Sequence, residues 1–269
     1  MIVKSILDTD LYKFTTSYAY MKLFPQARGT FEFFDRDLTE YPEDFVQKVY
    51  LELSNLGMLR LTNSELDYMT SNCRFVPQVY WEWLYSFRFN SGKVQVWLDD
   101  KKHLHITVTD YLYKVTLYEV PILAIISELR NRVLGNNCDM SEVIKKLEPK
   151  LRLSNVAGIK FSEFGTRRRF SYNVQDEVVS TIVFSNALDF DKCQDIMEYC
   201  GSRIRCSFGI GTNLTNDTGF KPANIVMKLI SCQMNVNQPV YGCVKLSDDK
   251  GKHTGEMREV KSCLSELGL

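Results

Sequence analysis

The sequence predicts an α/β protein, and three observations carry that reading. Short runs that alternate apolar and polar residues stand among longer runs with helical spacing. Thr181 to Asp189, Lys192 to Cys200 and Arg203 to Gly211 read in succession as strand, helix and strand, the unit of a parallel sheet. The composition, 45% hydrophobic and 25% charged over 269 residues, gives ample core for one large α/β unit or two modest domains.

Charge narrows the partners. Lys and Arg number 33 and so do Asp and Glu, so the whole chain has no electrostatic pull toward nucleic acid or an anionic membrane. A local basic pocket for a phosphorylated small molecule stays open. The first residues, Met1 to Asp8, meet charges too early for a signal peptide, and no apolar run reaches membrane-spanning length, so the expected location is cytoplasmic. Eight cysteines form no C-x-x-C pair, and His103, His105 and His253 lack zinc spacing with them. Free buried thiols in a reducing compartment, and no protein-held metal, are the expectation.

In chain order, Asp8 or Thr9 caps a helix that runs to about Leu23 before Pro25, with Leu11, Phe14, Tyr18 and Met21 on its apolar stripe. Tyr12 and Lys13 fall off that stripe, which places them in a solvated first turn. Gly29 to Phe34 reads as a strand followed by Asp35, Arg36 and Asp37, and residues 43–56 and 63–71 read as helices. Tyr80 to Phe89 is dense in aromatics without interleaved lysines, so it packs as core rather than stacking nucleobases. Lys93 to Leu98 and Leu104 to Thr109 form a hairpin with His103 and His105 on one solvated face, and Tyr118 to Arg130 is a buried helix with Pro121 near its first turn. A short helix spans 141–148, stopped by Pro149.

The polar chemistry gathers later. A strand ending at Phe164 and a turn at Gly165 lead into Arg167, Arg168 and Arg169, and then a helix over 171–179. At least one of those guanidinium forks is expected to point toward the top of the sheet, where it suits phosphate or carboxylate; the alternative is a solvated basic turn. Residues 181–189 and 203–207 read as buried strands. Gly209 and Gly211 then fall where the second strand turns outward, and without Cβ atoms they let successive N–H groups face one anion-holding concavity, with the Thr212 hydroxyl beside it. Taken alone, Gly-x-Gly-Thr fits an ordinary glycine-rich turn at least as well. Asn186, Asp189, Gly209, Gly211 and Thr212 share the carboxyl edge of the strands, where parallel sheets place their ligand sites. Residues 224–230 and 240–246 read as two closing strands, before a polar loop over 247–252 and a terminal helix from about Glu256.

Six stretches together resemble the nicotinate phosphoribosyltransferase family: Leu7 to Phe14, Leu117 to Leu129, Phe164 to Phe170, Val183 to Asp189, Ser207 to Asp217 and Val244 to Lys252. They occur in the family's order. The resemblance implies a type II phosphoribosyltransferase fold: an N-terminal α/β domain (1–115), an irregular and here incomplete α/β barrel (116–230), and a C-terminal segment (231–269) packing back on the first domain. It implies condensation of nicotinate with phosphoribosyl pyrophosphate to nicotinate mononucleotide and pyrophosphate, driven by ATP hydrolysis with Mg²⁺, in NAD salvage. The resemblance also implies a homodimer with shared sites. Tyr12 would lie on the pyridine ring, and Arg167 or Arg168 would hold the carboxylate or the pyrophosphate. Asn186 and Asp189 would lie by the ribose hydroxyls, and Gly209, Gly211 and Thr212 around the 5-phosphate. The chemistry agrees, because displacing pyrophosphate at an anomeric carbon needs positioning and cationic clamps rather than a side-chain nucleophile.

The resemblance breaks between Val179 and Thr181. There the family carries a further segment on the order of a hundred residues, far beyond loop variation, including a histidine phosphorylated by ATP. No histidine of this chain is nominated for that role. Either the polypeptide carries residues there that this sequence omits, with Val179 and Thr181 far apart, or the barrel is half-built; the unpaired edges of a half-built barrel favour omission. The competing functions are a non-catalytic homologue that binds phosphoribosyl compounds, and a transferase for nicotinamide or quinolinate.

Overall fold

The computed structural model describes residues 1–136, 181–185, 188–210, 220–221, 223–246 and 253–268. The helices expected over 141–148 and 171–179, the arginine triplet and the 179–181 junction lie outside them.

The first half of the chain builds helices α1 (Leu11–Leu23), α2 (Phe45–Gly57), α3 (Asn63–Asn72) and α4 (Gln78–Ser86), a short α5 (Leu112–Val115) and α6 (Glu119–Val133) around strands β1 (Arg28–Asp35), β2 (Val94–Leu98) and β3 (Leu104–Tyr111). Further on come β4 (Thr181–Ser185), α7 (Phe190–Cys200), β5 (Arg205–Gly209), β6 (Ile225–Gln233), β7 (Tyr241–Gly242) and α8 (Met257–Leu267). One five-stranded sheet has the order β2-β3-β1-β6-β7, and β4 and β5 form a separate two-stranded sheet.

Alternation sets the inner face of the large sheet. Leu104, Ile106 and Val108 of β3 are buried, as are Phe31 and Phe33 of β1, while their neighbours in sequence are not. Helix α2 lays Phe45, Val49, Leu53 and Leu56 into the same core at helical spacing. The aromatic run packs as expected: Tyr80 and Trp81 are fully buried, and Phe14 of α1 meets Trp81 edge-to-face at 5.7 Å. Thr62 and Glu65 close a capping box on α3. At Gly29 a Cβ would meet Leu112 Cδ1 and Leu229 Cδ1 at 2.8 Å, so close packing on β1 explains this glycine. The β2–β3 hairpin is antiparallel as expected. His103 and His105 both sit beside Asp99, at 3.4 and 3.3 Å, and the His105 ring stacks on Trp97 instead of standing free in solvent.

Two strand expectations change. β6 runs antiparallel along β1, from Arg28↔Gln233 to Asp35↔Ile225. It therefore extends the N-terminal sheet, and the expected boundary at 230/231 falls inside it. β4 and β5 do pair in parallel, but they are not buried: Val183 is 65% exposed and Ile182 43%. A buried parallel strand needs partners on both edges and cover on both faces. Among the described residues each of these strands has one partner, and no barrel closes. No described helix is long and apolar enough to cross a membrane.

Candidate active site

Of the eight residues singled out from the sequence, Tyr12, Asp189 and Gly209 are described; Arg167, Arg168, Asn186, Gly211 and Thr212 lie outside the described residues. Tyr12 occupies the first turn of α1 and is 52% exposed. Lys13 is not solvated as expected: it is only 5% exposed and forms an ion pair with Glu119 in the first turn of α6. The reason is packing of α1 against its neighbours. Ser17 donates to the Tyr113 carbonyl at 2.6 Å, and Phe14 fills the core beside Trp81, which turns the Lys13 side of the helix inward. Burial alone pulls the Lys13 pKa down, but the charge and hydrogen bond of Glu119, with Tyr12 adding, more than reverse that and raise it. Lys13 Nζ lies 4.7 Å from the Tyr12 ring centroid, so the tyrosine is backed by a fixed cation.

The second group lies at the carboxyl ends of β4 and β5. Register pairs Ser185 with Gly209, so the chain leaving β4 toward Asp189 and the chain leaving β5 start from one edge. Asp189 caps α7: its carboxylate accepts from the Lys192 backbone N–H and pairs with Lys192 Nζ, both at 2.9 Å. The backbone and side-chain hydrogen bonds from Lys192 hold the Asp189 carboxyl below its usual value. α1 packs on α5 and joins α6 through Lys13, whereas β4 and β5 pack on each other and β5 packs on α7.

A third group was missed in the sequence. Asp37, just past β1, accepts from Lys221 Nζ at 2.9 Å and from the Asn224 backbone N–H at 3.2 Å, and lies 3.5 Å from Arg130 of α6. It pins the stem that enters β6 to the first sheet, while β5 holds the other end of the 210–223 connection. The only signal was the acidic pair flanking Arg36 after a strand; nothing linked it to position 221.

The chain is similar to known proteins over nearly its whole length. The profile of the nicotinate phosphoribosyltransferase N-terminal domain matches residues 7–127, and that of the nicotinate phosphoribosyltransferase family matches residues 178–266. The nicotinate phosphoribosyltransferase of Desulforapulum autotrophicum is 28% identical over 386 residues, covering 99% of each chain, and that of Methanosarcina acetivorans is 26% identical over 392, covering 95% of this chain and 96% of the other. An alignment of 386 positions exceeds the 269 residues of this chain by 117, so at least that many positions have no counterpart here. The crystal structure of the nicotinate phosphoribosyltransferase from Porphyromonas gingivalis superposes with a TM-score of 0.85 at 29% identity, covering all of both chains. With one profile on each side of the undescribed middle, in the same order as the motifs, the chain belongs to the nicotinate phosphoribosyltransferase family.

Proposed function

We propose that this chain transfers the phosphoribosyl group of phosphoribosyl pyrophosphate to nicotinate, releasing pyrophosphate and forming nicotinate mononucleotide for NAD salvage. The observation that carries the reading is the ordered match of both family profiles, from residue 7 to residue 266. The exposed Tyr12 ring is a platform for a flat base. Arg167 or Arg168 takes the carboxylate or the pyrophosphate. Asn186 and Asp189 flank the ribose, with the Asp189 carboxylate oriented by Lys192. Gly209, Gly211 and Thr212 form the cradle of the 5-phosphate. Charge builds on both sugar and leaving group in the transition state, and the protein's part is to clamp them.

ATP is the proposed co-substrate. Mg²⁺ is the proposed metal, and it would arrive with the phosphoribosyl pyrophosphate and offset the charge of its leaving group. A cytoplasmic homodimer, with Tyr12 serving a site shared between subunits, completes the reading.

The test is direct. Purified protein given nicotinate, phosphoribosyl pyrophosphate, ATP and Mg²⁺ forms the mononucleotide, and leaving out ATP slows it. Arg167→Ala and Arg168→Ala raise the nicotinate KM selectively if the base is nicotinate rather than nicotinamide. A second reading, a non-catalytic homologue that keeps the phosphate cradle, is favoured by the exposed β4–β5 pair and by the 117 or more unmatched positions. It predicts no mononucleotide, with phosphoribosyl pyrophosphate still raising the melting temperature.

A further inference from the structure

We propose that Lys13, anchored by Glu119, is a positioning residue that makes the Tyr12 platform select an anionic aromatic base over its neutral amide. The inference rests on the reading of Tyr12 as the base platform. Four observations carry it. Tyr12 is half exposed, so a ring face is available to a ligand. Lys13 is almost wholly buried directly behind it. The Lys13 ammonium touches the ring, 4.7 Å from its centroid. The counter-ion comes from a different element, α6, which fixes the ammonium against the rotamer freedom a surface lysine would have.

The physics is that of a ring with two faces. A cation on one face withdraws electron density and leaves a positive potential on the other, so a stacked base carrying a carboxylate is favoured over one carrying a carboxamide. A base stacked on the far face lies roughly 8 Å from the ammonium, where one unit charge changes affinity about two- to thirtyfold between watery and protein-like dielectric. Glu119 answers part of that charge, which places the effect at the lower end. The ring nevertheless touches the cationic end of the pair, so the sign is set.

The experiment is calorimetric titration of nicotinate and of nicotinamide into the full chain and its variants, with melting temperature as the check on folding. Wild type binds nicotinate more tightly than nicotinamide. Lys13→Met combined with Glu119→Gln, which leaves no unpaired buried charge, lowers that preference about twofold or more. Lys13→Arg keeps it. A purely structural pair would shift both affinities together and leave their ratio unchanged; that result in the double variant overturns the proposal. Failure of the functional reading shows differently. If wild type neither binds nicotinate nor forms the mononucleotide, both fall; if it forms the mononucleotide while Tyr12→Ala leaves both affinities unchanged, only the platform and this proposal fall.

Discussion

Asp37 and Lys221 are 184 residues apart in the chain, yet the Lys221 ammonium donates to the Asp37 carboxylate at 2.9 Å. The same carboxylate receives the Asn224 N–H and faces Arg130, and its side chain is only 13% exposed. Asp37→Asn keeps the size and removes the charge that three donors converge on. The expected cost is about 1–3 kcal/mol, read as a lower urea midpoint with unchanged slope.

The pH dependence of that cost follows from the same contacts. The Lys221 hydrogen bond lowers the Asp37 pKa first of all; burial opposes it, and the Asn224 N–H and the nearby charges of Lys221 and Arg130 reinforce it. The folded state then binds its proton only at lower pH than the unfolded state does, so the unfolded chain carries more protons in that window and stability rises with pH through it. The contribution is complete above about pH 4 and is lost as pH falls through the folded pKa. The gap between wild type and Asp37→Asn is therefore flat near neutrality and closes in acid. A gap that stays constant down to acid unfolding would show that Asp37 does not carry it.

Breaking the Lys13–Glu119 pair from one side is expected to be costly. Lys13→Met leaves a carboxylate facing a buried apolar chain, for a loss of about 3–5 kcal/mol, whereas the double change with Glu119→Gln recovers most of it. Equilibrium unfolding of the three variants forms a double-mutant cycle, and additive losses would mean that the two groups do not interact.

The two sheets predict opposite sensitivities. Ile106 is fully buried at the centre of β3, so Ile106→Ala costs about 2–5 kcal/mol. Val183 is 65% exposed on β4, so Val183→Lys stays within about 0.5 kcal/mol. A large loss from Val183→Lys would mean that the strand is covered in solution, by a partner or by further polypeptide. Comparing melting temperatures of the two variants decides it.

Cys73 gives a chemical check on the core. It is free, 3% exposed, and burial pushes its thiol up to about 11. At pH 8 it is therefore almost wholly protonated and shielded. Labelling of the native protein with a thiol reagent, followed by peptide mass mapping, is expected to modify the half-buried Cys263 long before Cys73. Equal rates would show local opening around α3.

What the amino-acid order decided by itself is local and periodic. The helix over Glu119–Val133, the hairpin from Val94 to Tyr111, the burial of Tyr80 and Trp81, and the parallel pairing of β4 with β5 across α7 all follow from spacing and turn chemistry that nearby residues carry. The six ordered motifs carried the family as well. Long-range geometry was not legible. Lys13 reads as a solvated residue until α6 brings Glu119 to it, Asp37 has no visible role until Lys221 and Asn224 arrive, and β6 joins β1 rather than a barrel. The exposure of β4 and β5 likewise depends on which strands stand beside them, because an apolar run specifies a strand that seeks cover and cannot specify whether cover is present. Side-chain pattern encodes what a segment can bury; only the assembled fold decides what it meets.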